Sequence, residues 1–197
     1  MIPWPWPAPI DDGAAAHLER GTPLPDIELA TTGGRTLSLA RLPGRVVVFI
    51  YPWTGRPGVS DPPGWDGIPG AHGSTPEAQG FRNLHSAFTD LDTTVLGLSA
   101  QAIEWQRELV DRLRLPFEIA SDESLSVQRA LRLPTFETAG VIYLKRLTLL
   151  IADGRIESVF YPVHPPDVHP RDLLAWLTDA VGYGLESRID VRRDITS

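Results

Sequence analysis

The sequence predicts an α/β domain with a mixed central β-sheet and helices on both faces. Three observations predict it. Val46-Val47-Val48-Phe49-Ile50 is apolar without polar alternation, as in a central strand covered on both sides. Beyond it, segments of helical and strand-like periodicity alternate, which within one sheet gives strand-helix-strand crossovers. Late in the chain, Leu147 to Ile151 and Ile156 to Tyr161 flank Asp153-Gly154, a hairpin signal that adds antiparallel strands.

The elements follow in order. Residues 1–20 mix Trp4, Trp6 and several prolines with Asp11, Asp12 and an alanine run, which predicts an extended arm leading into a short helix near Ala14 to Arg20. Two short strands are expected around Gly33-Gly34, and Leu37-Ser38-Leu39 opens the next element. The buried strand Val46 to Tyr51 is followed by a Gly/Pro-rich stretch from Gly55 to His72. Ala78, Phe81, His85 and Phe88 then recur at helical spacing, predicting one helix that runs to about Asp90. Thr93 to Ser99 reads as a strand, Ala102 to Leu113 as a helix with Trp105, Leu109 and Leu113 in register, and Pro116-Phe117-Glu118-Ile119 as a short strand. Leu125 to Leu131 is a third helix, and Asp172 to Val181 closes the fold after the hairpin. The domain is expected over 21–181, with a charged tail over 182–197, where Arg188 to Arg193 read as a solvated end.

Composition narrows the function. At 197 residues, with 42% hydrophobic and 22% charged, the chain suits one domain with a proper core. A net charge of −7, with no basic run, argues against nucleic acid as a partner. No segment approaches the roughly 20 apolar residues of a membrane helix, and the first residues lack a basic leader. The expectation is therefore a cytoplasmic protein without a membrane partner. There is no cysteine, so disulfides and thiolate ligands are excluded.

Four local motifs carry chemistry: Pro23-Leu24-Pro25-Asp26, Tyr51-Pro52 followed by Thr54, Gly73-Ser74-Thr75-Pro76-Glu77-Ala78-Gln79, and Arg146 in Lys145-Arg146-Leu147-Thr148-Leu149. In this order they resemble the peroxiredoxins (redoxin family) of the thioredoxin-like fold, nearest the bacterioferritin-comigratory-protein branch, over about Gly21 to Leu177. The resemblance implies a peroxiredoxin-type fold and places Ser74 where the peroxidatic cysteine starts its helix. It also places Gln79 where a resolving cysteine often stands, Thr54 at the strand-end threonine and Arg146 at the active-site arginine. Peroxide reduction in that family needs a thiolate that is oxidised to sulfenic acid. A serine hydroxyl is far more basic and has no comparable oxidation ladder. The stretch Gly55 to His72 also separates Thr54 from Ser74 by more than the family's tight loop.

Each candidate has a plain reading beside the functional one. Ser74 and Glu77 match a capping box, Ser74 as N-cap and Glu77 at N3, worth about 0.5–2 kcal/mol. Alternatively His72 activates Ser74, or the helix start holds a ligand oxygen. Arg146 is a solvated neighbour of Lys145 or an inward anion clamp. Tyr51, Pro52, Trp53 and Thr75 line a ligand pocket at the strand's carboxyl end, or pack the core. His164, Asp167 and His169 are a conceivable metal trio in a proline-stiffened loop, and more plainly loop residues, so neither metal nor cofactor is expected.

The reading that follows is a cysteine-less peroxiredoxin-like protein, without thiol peroxidase activity, that binds a small oxygenated or anionic metabolite. Non-redox proton transfer is a further option, and a homodimer is an allowed assembly. Ser74, Thr54, Arg146 and His72 are the candidate catalytic residues. One alternative is a scaffold or partner-binding protein contacting others through Trp4, Trp6 and the insertion. Another is a Cys-to-Ser variant of a one-cysteine thiol peroxidase.

Overall fold

The apolar run Val46 to Ile50 lies at the middle of the sheet and sends alternate side chains to opposite faces. Val46, Val48 and Ile50 join one buried cluster, Val47 and Phe49 the other. The computed structural model describes residues 4–180. In chain order these form β1 (Leu29–Thr31), β2 (Thr36–Leu37), β3 (Arg45–Ile50), α1 (Ser74–Asn83), α2 (His85–Asp90), β4 (Thr93–Ser99) and α3 (Ile103–Leu113). There follow β5 (Ile119–Ser121), α4 (Ser126–Leu131), β6 (Thr135–Thr138), β7 (Val141–Leu144), β8 (Leu147–Ala152) and β9 (Arg155–Phe160). A last helix, α5, runs from 169 to 180.

Seven strands make the main sheet, in the order β2-β1-β5-β4-β3-β8-β9. β3, β4 and β5 are parallel, with Val47 opposite Val95 and Leu98 opposite Ala120, whereas β8 pairs β3 antiparallel with Val47 opposite Leu150. The sheet is therefore mixed. Phe81 of α1, Phe88 of α2, Leu109 and Leu113 of α3, and Leu173 and Leu177 of α5 cover the Phe49 face. Val127 and Leu131 of α4, with Ala15 and Leu18, cover the face of Val48. This is the α/β, thioredoxin-like arrangement, with helices on both faces.

Several elements differ from the sequence expectation. Residues 14–20 form turns and no helix; Gly13 and Ala14 donate backbone hydrogen bonds to the Asp11 and Asp12 carboxylates, which favours a turn at that point. The helix expected to reach Asp90 is two helices, interrupted where Leu84 takes φ −105° and ψ 7°. The strand expected at 116–119 is instead β5, three residues on, because Ile119 to Ser121 are the residues that register with β4 on one side and β1 on the other. α5 begins before Asp172; Val181 and the tail 182–197 lie outside the described residues, as do residues 1–3.

An unexpected hairpin, β6 with β7, sits apart from the main sheet, turning at Ala139 and Gly140, both at positive φ. It gives the Gly55 to His72 insertion something to fold against. Trp65 and Ala71 of the insertion are buried with Tyr143 of β7, and Trp53, Ile68 and Phe136 pack around them. The insertion thus has a small apolar core of its own, beside the carboxyl end of β3.

Candidate functional site

α1 starts at a residue that only glycine suits. Gly73 has φ 109°, and a Cβ there would lie 2.1 Å from Pro166 Cγ and 2.8 Å from Trp4 Cζ2. Gly73, not Ser74, is the N-cap, and its carbonyl accepts from the Glu77 amide at 3.0 Å. Ser74 is already helical, and no side chain caps this helix end. The capping box expected of Ser74 and Glu77 therefore does not form. The shift of one residue turns both side chains inward, where Ser74 and Glu77, three apart, share one face of α1.

What they face is Arg146. Its position between β7 and β8 carries the guanidinium under the start of α1, where it is almost fully buried. Nη1 pairs with the Glu77 carboxylate, and Nη2 donates to Ser74 Oγ at 3.0 Å and to the His72 carbonyl at 3.2 Å. The arginine's charge is thus met inside the protein by Glu77, and the anion-clamp reading gives way to an internal ion pair. Burial pushes the Glu77 carboxyl up to about 7, against the pull of Arg146. Tyr51, the residue after β3, is fully buried in the core beside this pair. Burial, and then the Glu77 charge, push its hydroxyl pKa upward. Tyr51 lines none of the described cavities.

A cavity of about 270 Å³ opens above Ser74 and Thr75. Trp4 and Trp6 of the arm, with Trp53 and Trp65, form its aromatic walls, and Asp61 and His72 its polar ones. The arm docks here: the Trp6 ring stacks on His72 with centroids 3.8 Å apart, and the Gly70 amide donates to the Pro7 carbonyl at 3.1 Å. His72 does not hydrogen-bond Ser74. Its Nε2 lies 2.9 Å from Asp66 Oδ1, so the expected activation of Ser74 by His72 is replaced by a His72–Asp66 pair.

Thr54 is also elsewhere. Its amide and Oγ1 both donate to Gln101 Oε1, at 2.9 and 3.2 Å, and its carbonyl accepts from Trp105 Nε1, so it is tied to the start of α3 and bonds neither Ser74 nor Arg146. The insertion between Thr54 and Ser74 accounts for the separation. Pro52 and Trp53 line a second cavity of about 190 Å³, with Gln101, Trp105, Val141 and Ile142. His164, Asp167 and His169 do not converge: His169 Nε2 is 2.8 Å from Thr148 Oγ1, and the one three-residue group of metal-ligating side chains among the described residues is Asp61, Asp66 and His72. Two residues that sequence reasoning missed are Glu77 as the partner of Arg146, and Asp66.

Comparison with known proteins agrees with this architecture. Chloroplastic peroxiredoxin Q of Sedum lineare is 25% identical over 163 residues, 82% of this chain and 79% of that protein. Peroxiredoxin Bcp of Bacillus subtilis is 28% identical over 114 residues, 57% of this chain and 63% of that one. Against a chloroplastic peroxiredoxin Q of Oryza sativa subsp. japonica, 25% identical over 77% of this chain, the chain spans 63% of the relative's length. The crystal structure of peroxidoxin BcpB from Mycobacterium tuberculosis superposes with a TM-score of 0.66 at 24% identity, covering 83% of this chain and 98% of that one. A cysteine-to-serine mutant of Xylella fastidiosa PrxQ does so with 0.68 at 23% identity, covering 84% and 98%. Residues 19–176 match the Redoxin family as a whole. With its sheet order, its Ser74–Arg146 contact and that match in place, the chain belongs to the Redoxin family, and does so without a cysteine.

Proposed function

We propose that this chain is a peroxiredoxin-fold protein without thiol peroxidase chemistry, which uses the cavity over Ser74 to hold a small oxygenated metabolite. The observation that carries the reading is the cavity itself: about 270 Å³ of space, walled by the arm and the insertion, above a serine that is hydrogen-bonded to a buried arginine. Thiol peroxidase chemistry needs a thiolate that is oxidised to sulfenic acid and recovered, and the chain has no cysteine to supply one. Ser74 Oγ accepts from Arg146 and retains its own proton to donate to a ligand carbonyl or hydroxyl. The first amides of α1 lack partners within the helix and favour the same kind of oxygen.

Charge selects among ligands. Glu77 neutralises Arg146, and the Asp61 carboxylate faces the cavity, so a neutral hydroxyl- or carbonyl-bearing ligand fits better than an anion. His72, which lines the cavity and is paired with Asp66 behind it, is the group we assign to proton exchange with such a ligand. The scaffold reading has less behind it, because Trp4 and Trp6 are half-buried against their own chain.

The test is tryptophan fluorescence, since Trp4, Trp6, Trp53 and Trp65 border the cavity. Titration with a panel of small polyols, hydroxy-ketones and sugars is expected to give a saturable change with at least one compound, lost in Trp6→Ala and in Ser74→Val. A flat response across the panel would sink the reading. The unmodified chain, with a dithiol reductant, is expected to consume no hydrogen peroxide.

A further inference from the structure

The insertion brings together three side chains that the metabolite reading uses only in part. One oxygen each from Asp61 and Asp66 and one ring nitrogen of His72 all lie within 4.8 Å of one another. We propose that these residues form a site for a first-row divalent cation of the Mn²⁺, Fe²⁺ or Zn²⁺ kind, opening on the cavity above Ser74.

The donor set fits that chemistry. One imidazole nitrogen and two carboxylate oxygens suit borderline and hard divalent ions, whereas the soft Cu(I) ion wants sulfur, of which this site has none. Bonds of about 2.0–2.2 Å from one ion to three donors place those donors about 3 Å apart. His72 Nε2 and Asp66 Oδ1 already stand at 2.9 Å. Asp61 and Asp66 are exposed, so rotation of their side chains is enough to complete the set.

His72 is held for the purpose. Its ring lies between Trp6, stacked on one side at 3.8 Å, and Trp65, edge-on at 6.4 Å, which fixes its plane and leaves Nε2 toward the carboxylates. A ligand fixed before the ion arrives loses less freedom on binding.

Charge and space agree. Among the described residues, neither Asp61 nor Asp66 pairs with a lysine or arginine; the only ion pair of Asp66 is with His72, and the guanidinium beneath the cavity, Arg146, is matched by Glu77. Two carboxylates thus stand together without a lysine or arginine to compensate them, and a divalent ion neutralises them. Asp61 and His72 line the cavity, so a three-residue site leaves coordination positions open toward Ser74, where water or a ligand oxygen would sit. The inference does not rest on the metabolite reading, because an ion binds these donors whether or not the cavity takes an organic ligand. The plain alternative is a His72–Asp66 hydrogen bond and nothing more.

Calorimetric titration of the tag-free full chain with MnCl₂ and ZnCl₂ alone, near neutral pH, tests it. One saturable equivalent is expected. Losing a direct ligand costs at least as much as losing a supporting group, so affinity should fall about tenfold or more in Asp61→Asn and in His72→Asn. It should be unchanged in Glu104→Gln, an exposed change on α3. Co²⁺ should give visible d–d absorption with the unmodified chain that both site variants lack. No binding, or binding of equal strength in Asp61→Asn and the unmodified chain, would overturn the proposal. Asp61 makes no hydrogen bond among the described residues, so its variant remains decisive should His72→Asn not fold.

Discussion

Arg146 donates to the Ser74 hydroxyl from 3.0 Å while it pairs with Glu77, so one buried guanidinium holds both inward residues of the first turn of α1. A serine stands in the place of a reactive thiol, and the pairing beneath it is not saturated: Glu77 Oε1, Arg146 Nε and the neighbouring Tyr51 hydroxyl are buried without a hydrogen-bond partner among the described residues.

Breaking that pair should be costly. Removing one member leaves an uncompensated buried charge, so Arg146→Met is expected to lower stability by about 3–5 kcal/mol. Glu77→Leu with Arg146→Met should recover much of the loss, since apolar packing can replace a buried pair. Urea unfolding of the two single variants and the double variant measures this. A loss below about 1 kcal/mol in Arg146→Met would mean the pair does not order the site.

A thiol at the Ser74 position should react. Ser74→Cys puts sulfur at the start of a ten-residue helix, beside a guanidinium, and both features favour the thiolate. Treatment with hydrogen peroxide is expected to add a single oxygen to the variant, trapped by a sulfenic-acid reagent and read by mass spectrometry. An inert variant would show that the arm and the insertion have closed the site to peroxide.

Acid should destabilise the fold through His169. Burial, then the Arg146 charge, depress its pKa to about 4 from an ordinary 6.5. Between those values the unfolded chain binds the proton and the folded one does not, so stability falls as pH drops through that window. The whole window is worth about 3 kcal/mol. His169→Gln should flatten the slope of unfolding free energy between pH 4 and 6.5, which unfolding curves at a series of pH values measure. An unchanged slope would assign the acid sensitivity to other groups.

Gly73→Ala should cost about 1–3 kcal/mol, because the left-handed backbone at φ 109° is strained for alanine and the new methyl runs into Pro166 and Trp4. Displaced Trp4 should also shift the tryptophan emission to longer wavelength. Gly34→Ala is the control: its φ is 81° with open space around it, so only the backbone strain of about 1 kcal/mol remains. Equal losses in the two variants would mean that Trp4 and Pro166 yield freely.

The sheet was readable where local pattern and burial coincide. The run before Tyr51 is central because it lacks polar alternation, and Asp153-Gly154 turns β8 into β9, with both residues at positive φ. The β6–β7 hairpin carried a similar signal, Phe136 and Tyr143 on either side of Ala139-Gly140, but its strands are short and half-exposed, and nothing in the linear pattern tells them from a loop.

The site was legible as far as a motif can carry it. Ser74 and Arg146 do meet. The capping-box pattern misled because it cannot tell an N-cap from the first helical residue; moving the helix start to Gly73 turns Glu77 from a local cap into the partner of a distant arginine. His72 was assigned to Ser74 by proximity in sequence. Its actual neighbours, Asp66 and Trp6, are set by the folding of an aperiodic loop against an aperiodic arm, which sequence period does not reach.

Trp4 and Trp6 precede residue 19, where the family match begins, and the other walls of the cavity come largely from a loop that adds no strand to the sheet. Container and frame are therefore separate parts. An exchange of the arm and the loop would recut the shape offered to a ligand while every rung of the sheet stays paired, and a bulky fusion placed directly against Trp4 would alter that shape by accident.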